Sequence, residues 1–423
     1  MSKKAKIGCA AVGGMLLLFI IMGIVFSVLH QKSQQIIHLT GEQMLEDYEY
    51  LCDVLDTSYP FWQEVADAGI QKEAVYEAYR DNIENSRTDI EFMKQVGYFL
   101  KEFQGFGHLS ALDGYMYQMY MDTLSDGGGL LSDEEQRRVR PLIDALTNST
   151  SVSTYSLLDH SHAGFRSTIG LKDAYRDDAQ ETESGENAAG IATDILNDGK
   201  TAYIQIPSFV LTSMEADKAV LSRFFREINA LPDMIIDIRG NSGGSDLYWK
   251  QLLVEQQAKT GLAATRYFLF NPSIGTQGYV SANFASDRVR DISALSHMPW
   301  FDVYSQRFSS YILDELSFDP GRQPYSGNVW LLVDHAVYSA SENFAMFCKN
   351  SGFARLVGSP TGGDGGIADP VLMVLPNSGL IVRFSMFYGL NADGTGNEAV
   401  GTIPDTVIAD GEDALDICLS LIK

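Results

Sequence analysis

The order strand, helix, strand between Thr201 and Ile238 constrains this chain more than any other feature. Ala202-Tyr-Ile-Gln-Ile206 alternates apolar and polar residues, Met214 to Ala230 has the spacing of an amphipathic helix, and Met234-Ile-Ile-Asp-Ile238 is apolar enough for a buried strand. That succession is a βαβ unit, whose two strands run parallel and are joined by a right-handed crossover. A further apolar run, Val329 to Val333, precedes helical spacing from Ser341 to Lys349 and repeats the step from strand to helix. The expected fold class is α/β.

Both of the later strands run into segments that can carry chemistry. Ile238 leads into Arg239-Gly-Asn-Ser-Gly-Gly-Ser245, where glycines permit close approach of backbone to a ligand. A helix from Leu247 to Lys259 follows, with Asp246 placed to cap it. Before the second helix stands Tyr338-Ser-Ala-Ser-Glu342. A serine at a strand-to-helix junction has a backbone-held hydroxyl, and the amides of the helix start stabilise nearby negative charge, which suits a nucleophile. The same residues also read as a plain helix start, with Ser339 or Ser341 as the cap and Glu342 as a first-turn acid.

The rest of the chain sets the context. Hydrophobic content of 45% and aromatic content of 11% over 423 residues describe a globular protein with ample core. A formal charge of −24 excludes nucleic-acid or anionic-lipid binding as the main activity, because such partners need basic surfaces. Ile7 to Leu29 carries no charge and follows Lys3, Lys4 and Lys6. At about 1.5 Å per residue it is long enough to cross a bilayer core of roughly 30 Å. No small-x-small cleavage site follows Phe26, so a signal anchor is expected, with the lysines cytoplasmic and everything after His30 outside. Leu39 to Phe106 reads as a bundle of three or more helices, opened by Thr40 and Gln43 in capping-box spacing and by Thr88 further on. It ends at Gly105-Phe-Gly-His108.

Residues 113–198 read as a variable linker or small domain, and Leu262 to Gln323 as an irregular, aromatic-rich insertion, either a lid or a packed extension. Val371 to Leu375 and Leu380 to Phe387 look like paired strands, and Glu412 to Ile422 a final helix. His160 and His162 lack a third ligand, and Cys9, Cys52, Cys348 and Cys418 form no CxxC, so neither a metal site nor a disulfide framework is expected.

Four segments in order resemble the tail-specific, or C-terminal processing, serine protease family. They are Ile235-Ile-Asp-Ile-Arg-Gly-Asn-Ser-Gly-Gly244, Leu331-Leu-Val-Asp with Tyr338-Ser-Ala-Ser-Glu342, Leu356-Val-Gly-Ser-Pro-Thr-Gly-Gly363, and Asn397-Glu-Ala-Val-Gly-Thr-Ile-Pro-Asp405. The resemblance implies a ClpP/crotonase-like core, a peptide or unfolded protein as substrate, no cofactor, and Ser339 as nucleophile. In the commoner branch a lysine 25 positions after that serine is the base, and here the position is Asp364, which excludes a Ser/Lys dyad. The tricorn-like branch is closer, since it pairs the serine with a histidine and a glutamate at positions matched by His108 and Glu398. On that likeness His108 is the base, Glu398 orients it, and the backbone N–H groups of Ala340 and of Gly243 or Gly244 form an oxyanion hole.

Arg239 and Asn241 are the candidates for substrate contact, Arg239 holding either a loop or a substrate carboxylate. Where that branch has a serine before its histidine this chain has Gly107, leaving Ser110 or Ser245 for a supporting role. Taken alone, His108 also reads as a cap or a core histidine, and Glu398 as a partner for a backbone amide. No PDZ pattern is seen between residues 113 and 198. The resulting division is 1–36 basic tip and membrane anchor, 37–112 helical domain, 113–198 linker, and 199–423 catalytic core. The function implied is a membrane-anchored extracytoplasmic serine peptidase. The alternatives are a catalytically inactive peptide-binding relative, or a hydrolase of non-peptide esters or amides.

Overall fold

The computed structural model of the chain describes residues 38–127, 133–156, 158, 190–273 and 275–422. The expected anchor, Ile7 to Leu29, and the His160/His162 pair lie outside them. Among the described residues no helix is long and apolar enough to cross a membrane. The fold is mixed α/β, and the chain divides into two compact units. Of the described residues, one comprises those up to 158 with 272–286 and 370–386, and the other those from 190 to 271 with 287–369 and 387–422.

The second unit contains the βαβ core. Its six-stranded sheet runs, from edge to edge, Thr406–Val407, Arg355–Gly358, Asn328–Val333, Asp233–Asp237, Thr201–Gln205 and Ala192–Leu196. All neighbours pair in parallel except Ala192–Leu196, which is antiparallel to Thr201–Gln205. The period of two along each strand sorts the side chains into two layers. Ala202, Ile204, Met234, Ile236, Leu331 and Val333 point into the larger core, beneath helices Met214–Ile228 and Ala340–Ser351. Ile235, Trp330, Leu332 and Val357 point the other way, against Ala414 and Cys418 of helix Ala414–Leu421. Every residue of Asp233–Asp237 is buried, which is why its sequence is apolar throughout its middle.

Helix Ala340–Ser351 is deeply enclosed, with Ala340 to Cys348 all buried. Phe344 and Phe347 lie against the indole of Trp249, at ring separations of 5.5 Å and 5.3 Å. Truncating either phenylalanine to alanine costs about 3–5 kcal/mol. The helix stops where Gly352 takes a left-handed φ of 72°, a conformation that costs glycine little.

The aromatic insertion is neither irregular nor wholly in this unit. Leu262–Phe270 pairs antiparallel with Ser310–Phe318 along nine residues, and Val289–Asp291 and Tyr388–Leu390 complete a four-stranded sheet. Arg266 ties that sheet to the Ala340–Ser351 helix. Its guanidinium is almost fully buried, donates to Asp314 Oδ2 at 2.7 Å, and reaches Asn343 Oδ1 at 2.6 Å.

In the first unit, helices Gly41–Ser58, Trp62–Asp67, Lys72–Glu84 and Asp89–Lys101 form the expected bundle. Thr40 and Gln43 make both bonds of the capping box, and Thr88 accepts from the Glu91 amide. The bundle does not end at residue 112. Helices Gly114–Gly127, Asp133–Leu146, Ser149–Tyr155 and Gln277–Asn283 belong to the same unit, as does the hairpin Val371–Val374/Ile381–Phe384 with Ser110–Ala111 beside it. The hairpin tip is fixed by a buried carboxylate, because Asp47 accepts from the Asn377 and Ser378 amides at 2.8 Å and 2.7 Å. Contacts more than three hundred residues apart thus replace the expected division of the chain into consecutive segments.

Candidate active site

Ser339 precedes the first residue of helix Ala340–Ser351 with φ 59° and ψ −121°, a region that L side chains rarely adopt. Holding a serine there costs on the order of 1–3 kcal/mol. Its side chain makes no capping hydrogen bond to the helix. Ser341 does the structural work of the segment. Its hydroxyl accepts from the Tyr338 amide at 3.1 Å and donates to the carbonyl of Asn241, which fastens the serine segment to the glycine turn. The two readings of the Ser-x-Ser pair thus separate: Ser341 is built into the scaffold, and Ser339 is not used to cap.

The glycine turn lies directly against Ser339. A Cβ on Gly243 would sit 2.8 Å from the Tyr338 carbonyl oxygen, 3.0 Å from the Ala340 nitrogen and 3.1 Å from the Ser339 Cβ, and its φ is +109°. A Cβ on Gly244, at φ +133°, would meet the Phe209 carbonyl oxygen at 2.3 Å. The Gly243 N–H is given to Asn241 Oδ1 at 2.9 Å. The amides of Ala340 and Gly244 donate to no acceptor among the described residues. The absent side chain of Gly243 therefore keeps the space before the Ala340 N–H open, and the second available donor is Gly244.

Both residues expected to contact substrate have protein partners. Asn241 is fully buried, with its amide group donating to the Ile206 carbonyl at 3.1 Å and its oxygen holding Gly243, so it shapes the turn. Arg239 is committed to two carboxylates, the buried Asp237 at 2.7 Å and Asp413 at 2.9 Å. Hydrogen bonding to Asp237 raises the guanidinium pKa further above its usual value. Ser245 caps the next helix by accepting from the Leu247 amide at 3.3 Å, so the helix begins one residue before the expected start, at Asp246.

On the other side of Ser339, its amide donates to the Gly363 carbonyl at 3.2 Å. Gly363 in turn is pressed on helix Asn397–Val400: its Cβ would stand 3.0 Å from the Glu398 Cα and 2.7 Å from the Asn397 carbonyl oxygen. Glu398 is thus one residue contact removed from the Ser339 backbone. A second carboxylate, which the sequence offers only as a first-turn acid, organises this region. Glu342 is fully buried, and its Oε1 accepts from Asn397 Nδ2 and from Thr402 Oγ1, both at 2.6 Å. Burial raises its pKa above the ordinary 4.5, against the opposing effect of the donors Asn397, Thr361, Thr402 and the Gly363 amide. Asp364, where the commoner family branch has lysine, is buried with φ 57° immediately beyond Gly363.

His108, in the other unit, also has a left-handed backbone, φ 61°. It closes the turn Phe106–His108, where the Phe106 carbonyl accepts from the Tyr59 hydroxyl at 2.8 Å and the His108 carbonyl from the Ser110 hydroxyl at 3.2 Å. Gly107 has a physical reason to replace serine. At φ 55° any Cβ there would lie 2.1 Å from the ring of Phe61.

Residues 200–408 match the family model described as Peptidase family S41. The crystal structure of a candidate peptidase from Parabacteroides merdae superposes with a TM-score of 0.53 at 18% identity, covering 89% of this chain and 96% of that one. Mature CPAF superposes with a TM-score of 0.52 at 13% identity, covering 87% and 92%. At these identities the likeness is one of fold. No curated protein matches the chain by sequence.

Proposed function

We propose, from the premise that residues 200–408 are a peptidase family S41 domain, a family of serine peptidases, that this chain hydrolyses peptide bonds through an acyl-enzyme on Ser339. The backbone of Ser339 carries the reading. A serine kept at φ 59° and ψ −121° without serving as the helix cap holds strain that helix capping does not require. In the proposed reaction Ser339 Oγ attacks the scissile carbonyl carbon and His108 takes the hydroxyl proton. The oxyanion that forms is held by the Ala340 and Gly244 amides. His108 then delivers the proton to the leaving amine, and the same groups act in reverse on water. Glu398 orients the imidazole and stabilises its cation.

The Ser-His-Glu set aligns the chain with the tricorn-like branch, and the ClpP/crotonase-like description of the core rests on its parallel sheet with the serine at a strand-to-helix junction. The location we propose is extracytoplasmic, with Ile7 to Leu29 as a single membrane anchor and the lysines before it in the cytoplasm.

Digestion of casein tests the reading. The wild-type chain is expected to cut it, Ser339→Ala to abolish cutting, and His108→Ala to slow it by about 10³-fold or more. If the wild-type chain leaves casein intact but cleaves small esters, the substrate class is wrong. If it cleaves neither, a silent peptide binder is the better account.

A further inference from the structure

The hairpin strand Val371–Val374 is the edge of its three-stranded sheet, which runs Ser110–Ala111, Ile381–Phe384, Val371–Val374. Along this edge lies a groove of about 550 Å³, bounded on its far side by helices Asp133–Leu146 and Gln277–Asn283. All four consecutive residues from Val371 to Val374 line it. Successive side chains of a strand point to opposite faces, so a groove touched by every one of them follows the strand, and the buried Val371, Leu372 and Met373 form its floor.

Hydrogen bonding within the hairpin shows which backbone groups face that groove. The Leu375 amide donates to the Leu380 carbonyl at 2.8 Å. In the antiparallel register this makes Met373–Val382 and Val371–Phe384 the bonded pairs, and turns the N–H and C=O of Leu372 and Val374 outward. Those outward groups have no protein partner among the described residues. Two arginines stand over the same groove in a chain whose formal charge is −24. Arg137 is paired with no carboxylate among the described residues, and Arg140 is 3.7 Å from the exposed Asp144.

We infer that this groove binds an acidic peptide segment in extended form, added as a fourth strand beside Val371–Val374. Outward N–H and C=O groups on alternate residues match the backbone of another strand. Arg137 and Arg140 match carboxylates on its side chains. The site is a binding site only, in the unit that holds His108, and does not depend on the chemistry proposed at Ser339.

The test uses the full chain carrying Ser339→Ala, so that no probe is cut, and reads fluorescence anisotropy of a labelled hexapeptide that alternates valine with glutamate. Two further probes carry backbone N-methyl groups on alternate amides, one in each frame. Strand addition predicts that one methylated frame binds at least tenfold more weakly than the parent while the other frame stays within about threefold. Val374→Pro, which removes an outward N–H and spares the bonded pairs, is expected to weaken the parent peptide at least tenfold. The double variant Arg137→Glu/Arg140→Glu is expected to weaken the glutamate peptide by a similar factor and to leave a glutamine version unchanged.

Equal binding of both methylated frames, or no response to the arginine reversals, overturns the inference. So does a dimer in sedimentation that Val374→Pro disperses, since the edge would then belong to a second copy of the chain. Because binding is read without turnover, loss of peptidase activity and loss of this site are separate outcomes.

Discussion

Replacing Gly243 with alanine places a methyl group in the space on which the proposed oxyanion hole depends. The new Cβ would lie 2.8 Å from the Tyr338 carbonyl oxygen, 3.0 Å from the Ala340 nitrogen and 3.1 Å from the Ser339 Cβ. Two of these three neighbours are backbone atoms, which cannot swing aside as the end of a side chain can. The residue must also keep φ +109°, at a cost of about 1–3 kcal/mol in stability. If the turn moves away and one oxyanion donor is lost, kcat falls about 10²–10³-fold, equivalent to about 2.7–4 kcal/mol, with little change in KM.

Gly240→Ala is the matched control, since Gly240 also has a positive φ, +78°, but nothing lies within 4 Å of the point its new Cβ would occupy. It should lose a similar amount of stability and keep its kcat. Casein hydrolysis with thermal unfolding of both variants decides the matter. A folded Gly243→Ala protein with kcat within about threefold of wild type refutes the argument that the space before the Ala340 amide is used in the reaction.

Three further outcomes follow from the same geometry. Arg239→Ala strips the buried Asp237 of its cation and is expected to cost up to about 3 kcal/mol in denaturant unfolding, with peptide KM unchanged; a large rise in KM would restore Arg239 as a substrate contact. Asn241→Leu leaves the Ile206 carbonyl and the Gly243 amide without their partner and should lower stability by about 2–3 kcal/mol and kcat as well, whereas an effect on KM alone contradicts the scaffold role. Glu342 has a raised folded pKa, so the stability it confers is fully present below its ordinary value of 4.5 and is lost as pH rises through the folded value. Glu342→Gln keeps both accepted bonds and removes the titration, so its stability should exceed wild type increasingly as pH rises through that window; parallel stability–pH curves for the two proteins argue against it.

The elements legible in the sequence are those whose side chains repeat with one period against one core. The strand around Ile236, the helix from Met214 and the capping box at Thr40 are of this kind. The sheet from Leu262 to Phe318 is hidden because Tyr267, Phe268, Leu269 and Phe270 break strict alternation, three of them being buried. The run from Leu380 to Phe387 reads as one strand, yet Ile381–Phe384 pairs with Val371–Val374 and Tyr388–Leu390 begins a strand of another sheet.

At the site, the glycine turn and the serine segment carry local signals. Asn241 and Arg239 carry the chemistry of ligand contacts, and only burial and partners reveal that the scaffold uses them. Glu342 leaves one trace in the sequence, a carboxylate just ahead of the helix's apolar run, and its partners Asn397 and Thr402 lie more than fifty residues away. Such partners have no signature in local spacing.

The central claim is that Ser339 is a nucleophile activated by His108. Fluorophosphonate treatment followed by peptide mass spectrometry addresses it without any knowledge of the natural substrate. The account predicts a single covalent adduct on Ser339, formed about 10³-fold or more slowly in His108→Ala and absent in Ser339→Ala. An adduct on Ser341 or elsewhere, or a Ser339 adduct that forms at the same rate without His108, contradicts it.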